Sequence, residues 1–202
     1  TQSVSNFRPT AAKLIYEKYA GDGVVWDMSC GWGGRLLGFL SAKNTKHYIG
    51  TEPSTKTFDG LKKMSKDFNY IKKKVDIYKQ GSETFQPESE SLDLCFTSPP
   101  YFDTEKYSEE ESQSYKKFPT QDEWVDGFLK TTIKNCYHGL KKGGHMLYNI
   151  ANTPKYKFIE EETQRISTSL GFVQEETIQL TLSSVMGAGH KYEPIFVFRK
   201  GD

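Results

Sequence analysis

Cysteine, histidine and long apolar runs are all scarce in this chain, and each scarcity narrows what it can be. The three cysteines, Cys30, Cys95 and Cys136, stand too far apart for a metal-ligand pattern. An odd number of widely spaced cysteines on buried elements is expected of reduced thiols in a cytoplasmic protein. The four histidines also lack ligand spacing, so no metal is expected, and His138 and His145 are read as structural. No apolar stretch approaches the roughly 18 residues of a membrane span, and Thr1–Pro9 carries no signal-peptide core, so no membrane partner is expected. A full Gly-x-Gly-x-x-Gly and a Gly-Lys-Ser/Thr are both missing, which sets aside the dinucleotide fingerprint and the phosphate loop. A formal net charge of +1 does not fit a non-specific nucleic-acid binder.

What is present is an ordinary globular composition, 36% hydrophobic and 26% charged, rich in Tyr and Phe. Residues 1–202 suit one domain with a sizeable core. Charge is uneven along it. Lys62, Lys63, Lys66, Lys72, Lys73 and Lys74 cluster in one segment, read as a solvated helix face and strand entry in preference to a phosphate track. Asp103, Glu105, Glu109, Glu110 and Glu111 form an acidic run later.

Hydrophobic periodicity places a helix over Thr10–Tyr19, with Thr10 as cap and Leu14, Ile15 and Tyr19 as buried positions. Strands follow at Gly23–Met28, His47–Gly50, Val75–Tyr78 and Leu92–Phe96. Between them lie a helix at Arg35–Ser41 and a longer one that Ser54 caps, with Phe58, Leu61, Met64 and Phe68 at helical spacing. Thr120-Gln-Asp-Glu123 has capping-box spacing and opens a helix to about Tyr137, carrying Trp124, Phe128, Leu129 and Ile133. Lys141–Gly144 turns into a strand at His145–Ile150, and a helix over Lys157–Leu170 ends at Gly171. Gln174–Leu182 and Pro194–Arg199 close the chain as two strands with no helix between them. Alternation of this kind predicts an α/β fold. Its open seven-stranded, mostly parallel sheet has helices on both faces and an antiparallel C-terminal hairpin. Residues 102–119 are too long for a tight connection and are read as a lid or substrate loop; residues 183–193 form the hairpin loop, where His190 and Lys191 are read as a surface turn.

Two motifs carry the chemistry. Asp27-Met-Ser-Cys-Gly-Trp-Gly-Gly34 lies between the first strand and its helix, where glycines let the backbone approach a ligand. Glu52 follows the second strand, in position to hold both hydroxyls of a ribose, and Gln80-Gly-Ser-Glu83 follows the third, in position to meet an adenine edge. These all fall at carboxyl ends of strands, where open α/β sheets bind ligands. Such a set fits a cofactor with ribose and adenine but no pyrophosphate. The second motif is Thr97-Ser-Pro-Pro-Tyr101, a buried strand stopped by two prolines. It offers a hydroxyl and outward carbonyls to a planar NH₂ group while Tyr101 stacks on the ring.

With both motifs in this order, nearly the whole chain resembles the S-adenosylmethionine-dependent DNA amino-methyltransferases that modify adenine N6 or cytosine N4. Asn6-Phe-Arg-Pro9 is similar to that family's N-terminal cofactor segment. Asp27–Gly34 is similar to its glycine-rich motif, Glu52 to its ribose carboxylate and Ser98-Pro-Pro-Tyr101 to its catalytic loop. Glu193–Lys200 is similar to its closing strand. The resemblance implies a Rossmann-like methyltransferase fold and S-adenosyl-L-methionine as cofactor. It implies cofactor-binding roles for Phe7, Asp27, Ser29, Cys30, Gly31, Trp32, Gly33, Glu52, Pro53, Gly81, Ser82, Glu83 and Ser98. Ser98, Pro99, Pro100 and Tyr101 would be catalytic, and Tyr101, Phe102 and Asn149 would contact the substrate. Cys30-Gly-Trp-Gly departs from the family's small-residue pattern, so Trp32 must find room or cover the cofactor.

In this chemistry Ser98 and the Pro99 carbonyl accept hydrogen bonds from the target amine as it attacks the sulfonium methyl group, and a base in a duplex must be flipped out. No Gly-x-Ser-x-Gly surrounds Ser98, so it is not read as a covalent nucleophile. No target-recognition segment of adequate length is present. Either recognition of DNA resides in another domain or subunit, or the acceptor is a free nucleotide, RNA or a small-molecule amine. A third reading is a catalytically silent cofactor-binding module. The first residue, Thr1, leaves open that the chain is a piece of a longer cytoplasmic or nucleoid-associated protein.

Overall fold

A computed structural model describes residues 6–102, 108–181 and 192–201. Asp103, Glu105, most of the 183–193 hairpin loop, His190 and Lys191 lie outside the described residues.

The described elements run α1 (Pro9–Tyr19), β1 (Val24–Asp27), α2 (Gly34–Ser41), β2 (His47–Thr51), α3 (Thr55–Phe68), β3 (Lys74–Tyr78) and β4 (Leu92–Thr97). They continue with α4 (Ser114–Lys117), α5 (Gln121–Trp124), a π-helical turn (Val125–Leu129), α6 (Lys130–Gly139), β5 (Leu140–Asn149), α7 (Ile159–Ser169), β6 (Phe172–Thr181) and β7 (Tyr192–Lys200). The seven strands form one sheet in the order β3-β2-β1-β4-β5-β7-β6. The first five run parallel; β7 lies antiparallel to both β5 and β6. This is the predicted Rossmann-like architecture.

Both faces of the sheet are apolar, because successive side chains on its central strands point alternately into two cores. Trp26, Cys95, Met146, Tyr148, Phe196 and Phe198 join the core that includes α6 and α7 residues Ile133, Cys136 and Ile166. Val25, Leu94, Phe96, Leu147, Ile195 and Val197 join the opposite core with Ile15, Leu36, Phe39 and Leu61 of α1–α3. Strand order reverses between β1 and β4, and there the two loops leaving their carboxyl ends diverge.

Some local expectations are corrected. Pro9 opens α1, so Arg8 and not Thr10 holds the cap position. Leu14 and Phe68 face solvent at 66% and 49% exposure, since each sits on the outer side of its helix. Ser54 occupies the cap of α3 without a side-chain capping bond; the Thr55 N–H donates instead to Glu110 at 2.9 Å. β5 begins at Leu140, and residues 141–144 sit in a register shift within it.

Candidate active site

The turn after β1 is ordered from beneath by Asp27, which is fully buried. Its Oδ2 accepts from Arg35 Nε at 2.9 Å and from the Tyr48 hydroxyl at 2.8 Å. Its Oδ1 accepts more weakly from the Ser29 N–H at 3.3 Å and from Thr97 Oγ1 at 3.4 Å. One carboxylate thus ties β1, α2, β2 and the end of β4 together at the point where strand order reverses. Gly31 and Gly33 have φ of +54° and +85°, which side chains other than glycine rarely adopt. A Cβ on Gly31 would meet no protein atom within 4 Å, so the bare backbone leaves room for a ligand.

Glu52 closes the turn from the β2 side. Its Oε2 accepts from the Gly31 N–H at 3.1 Å and its Oε1 from the Ser54 N–H at 2.9 Å. Burial pushes its carboxyl up to about 7, and the two backbone donors offset only part of that rise. Past β3, Ser82 Oγ is bonded to Thr132 Oγ1 at 2.8 Å, and the Ser82 carbonyl accepts from Asn135. Glu83 is paired with Lys117 at 2.8 Å.

These loops line a single cleft of about 570 Å³, its open mouth included, bounded by Met28, Ser29, Gly31, Glu52, Pro53, Thr57, Gly81, Ser82, Glu83, Ser98, Pro100, Ser112, Gln113, Ser114 and Phe128. Nine residues singled out from sequence meet here: Ser29, Gly31, Glu52, Pro53, Gly81, Ser82, Glu83, Ser98 and Pro100. The others lie outside its walls. Phe7 is stacked edge-on against Phe96. Cys30 is buried against Tyr48, where burial raises its thiol pKa. Gly33 caps α2, and Trp32 is 50% exposed.

The Ser98–Tyr101 loop is split in the same way. Pro99 and Tyr101 are buried, and the Tyr101 hydroxyl approaches the Asn149 carbonyl at 3.4 Å and Glu193 Oε2 at 3.5 Å. Phe102, with φ +51°, turns its ring into the core against Trp124 and Tyr156. Asn149 directs its amide to the Pro194 carbonyl at 3.0 Å and so braces β7.

Six wall residues escaped the sequence reading: Met28, Thr57, Ser112, Gln113, Ser114 and Phe128. Ser112–Ser114 belong to the loop read as a lid, and their only signal was position after the catalytic motif. Phe128 was assigned to a helix face; it lies in the π-helical turn, whose extra residue per turn re-aims it toward the cleft. The segment 108–117 is tethered over the cleft. Glu110 accepts from the Thr55 N–H and, at 3.0 Å, from Thr55 Oγ1; Ser112 Oγ donates to the Pro53 carbonyl at 3.2 Å; Lys117 pairs with Glu83.

The lysine segment lies elsewhere. Lys62, Lys63, Lys66, Lys72 and Lys73 line a shallow groove where α3 ends and β3 begins. Lys73 is spent internally: its ammonium donates to the carbonyls of Phe39 and Ala42 and to Thr45 Oγ1, and burial pulls its pKa down to about 8. Among the described residues, no helix is long and apolar enough to cross a membrane, and no three His, Cys, Asp or Glu side chains gather as a metal site.

Residues 92–202 match the DNA methylase family, a span that takes in Ser98–Tyr101, the tethered segment and the closing strand. No curated protein matches the sequence. Among solved structures, a SAM-dependent methyltransferase from Methanosarcina mazei superimposes with a TM-score of 0.66 at 13% identity, covering 93% of this chain and 97% of that one. The N-methyltransferase NodS from Bradyrhizobium japonicum gives 0.66 at 14% identity, covering 96% and 94%. The [4+2]-cyclase SpnF gives 0.66 at 11% identity, covering 99% and 86%. At such identities these likenesses establish the fold alone, and a cyclase among them shows why the reaction must be argued from the site.

Proposed function

The chain belongs to the DNA methylase family, whose methyl donor is S-adenosylmethionine, and on that premise we propose that it methylates the exocyclic amine of adenine (N6) or cytosine (N4) in DNA. One observation carries the reading: a single cleft joins the Glu52 and Gly81–Glu83 loops to Ser98 and Pro100 at the strand-order reversal. The cleft fits the donor chemically. Each Glu52 oxygen accepts one backbone N–H and keeps a lone pair for a ribose hydroxyl, while Gly31 leaves open backbone beside it. Gly81–Glu83 would meet the adenine edge, and Ser29 and Gly31 the amino-acid end. When bound, the donor supplies an electrophilic sulfonium methyl group.

The protein's own part is positioning. An amine conjugated to a heterocycle is a weak nucleophile because its lone pair is delocalised into the ring. Ser98 Oγ and the Pro99 carbonyl accept the two amine hydrogens and favour a pyramidal nitrogen aimed at the methyl carbon. Alignment of this kind is worth up to roughly 7–11 kcal/mol in the best intramolecular cases. Asp27, though it lies outside the cleft walls, holds the loop ends from which this notch is built. Residues 1–202 act in this reading as one methyltransferase domain in the cytoplasm or at the nucleoid, with DNA recognition supplied by a further domain or subunit.

A second reading, transfer to a free nucleotide, RNA or small amine, is favoured by a net charge of +1. Incubation with labelled S-adenosylmethionine and duplex DNA, single strands, RNA or nucleotides separates the two. Label in duplex or single-stranded DNA is expected; label in nucleotides alone would establish the second reading, and tight cofactor binding without transfer would point to a silent module. Ser98→Ala should lower transfer tenfold or more, the value of about one hydrogen bond, while cofactor affinity stays within about threefold. Equal loss of cofactor affinity would contradict the role given to the loop.

A further inference from the structure

Gln113 is 5% exposed, forms part of the cleft wall, and its Nε2 has no hydrogen-bond partner. Buried amide donors are seldom left unpaired in folded proteins, so an orphan on a residue of the cleft wall calls for an acceptor. Among the described residues the other orphaned buried donors, Tyr16, Trp124 and Tyr148, belong to the two apolar cores and not to the cleft.

The position of Gln113 is fixed rather than incidental. Its N–H donates to the Glu110 carbonyl at 3.1 Å, and its own carbonyl accepts from the N–H groups of Lys116 and Lys117. On either side, the segment is anchored by Glu110 to Thr55, by Ser112 to Pro53 and by Lys117 to Glu83. Those three anchors flank Glu52 or belong to the Gly81–Glu83 loop, so the segment closes over the side of the cleft given above to the ribose and adenine.

We infer that Gln113 is a cofactor-binding residue: its amide NH₂ donates to a ring nitrogen or ribose oxygen of the adenosyl group. This rests on the reading of the cleft as the S-adenosylmethionine site. A glutamine there would add to the polar contacts that Glu52 and the Gly81–Glu83 loop offer at the same end of the cleft.

Gln113→Met keeps length and removes the donor. Calorimetry with S-adenosylmethionine and S-adenosylhomocysteine should show about tenfold weaker binding of both, while the acceptor KM is unchanged. The melting temperature of the ligand-free variant should equal or exceed that of the wild type, because an unsatisfied donor has been removed. Undiminished cofactor affinity in Gln113→Met overturns the inference. So does a raised acceptor KM with normal cofactor affinity, which would assign the residue to the acceptor. A ligand-free melting temperature that falls would mark Gln113 as structural. If the wild-type protein binds neither compound, the cofactor reading itself fails, and the inference with it.

Discussion

Asp27 and Glu52 are both acidic side chains buried at the heads of neighbouring strands, and they are accommodated in opposite ways. Asp27 faces Arg35, a full counter-charge 2.9 Å away, whereas Glu52 has only two backbone N–H donors. Desolvation therefore dominates at Glu52 and lifts its pKa from 4.5 to about 7. The sign follows from linkage. The unfolded chain ionises this group near 4.5, the folded chain near 7, so folding favours the protonated form. Its contribution is intact below pH 4.5 and is lost as pH rises through 7, a change of about 3 kcal/mol for the ligand-free protein. Denaturant titrations of wild type and Glu52→Gln should diverge in the variant's favour between pH 4.5 and 7, then run parallel. A difference that does not vary with pH would rule out burial as the cause. In the proposed reading ribose hydroxyls would donate to the ionised carboxylate, so cofactor affinity of the wild type should climb as pH rises through 7 and level off above it. The variant should bind weakly at every pH.

At the level of elements, the helical stretch from Gln121 to Gly139 shows what a sequence discloses and what it conceals. The capping box was legible because it is a chemical pattern at fixed spacing: Thr120 Oγ1 accepts from the Glu123 N–H at 3.3 Å, and Glu123 Oε2 accepts from the Thr120 N–H at 3.1 Å. Thr120→Ala should cost about 1 kcal/mol, read as a lower denaturant midpoint at constant slope. An unchanged midpoint would mean that tertiary packing, not the cap, holds the helix start. The π-helical turn beginning five residues later was not legible, since no composition marks one extra residue in a turn, yet it determines that Phe128 reaches the cleft. The same contrast runs through the site. That Glu52, Gly81–Glu83 and Ser98 would share one cleft was legible, because residues just past parallel strand ends fall at one edge of the sheet. Gln113 was not, because its role depends on a long connection folding back by contacts such as Glu110 with Thr55, 55 positions away, which no local spacing encodes. Aromatics beside such a motif invite a stacking role; the Phe102 ring packs against Trp124 and Tyr156 and Tyr101 is buried beside it, which no local spacing announces.

Across the whole molecule, parallel strands separate two ends of different character. The carboxyl ends of β1–β4 carry the cleft; the amino end of β3 meets the lysine groove. Five residues of β3 put about 16 Å between them, at roughly 3.3 Å per residue. To meet Lys62, Lys63 and Lys66, which are exposed on α3, a nucleic acid whose target base enters the cleft would have to extend at least that far along the sheet. Removing one lysine–phosphate pairing from a duplex complex would lower the slope of log affinity against log salt by about 0.9. If the cleft end alone meets the substrate, changing all three lysines to serine should leave kcat/KM on DNA within about twofold and the salt slope unaltered. A drop in slope of about two or more, accompanied by a tenfold fall in kcat/KM, would mean that the polyanion wraps the far end of the sheet. Phosphate contacts that position the polyanion would then come from this chain, while reading of the sequence would still fall to groups that reach base edges.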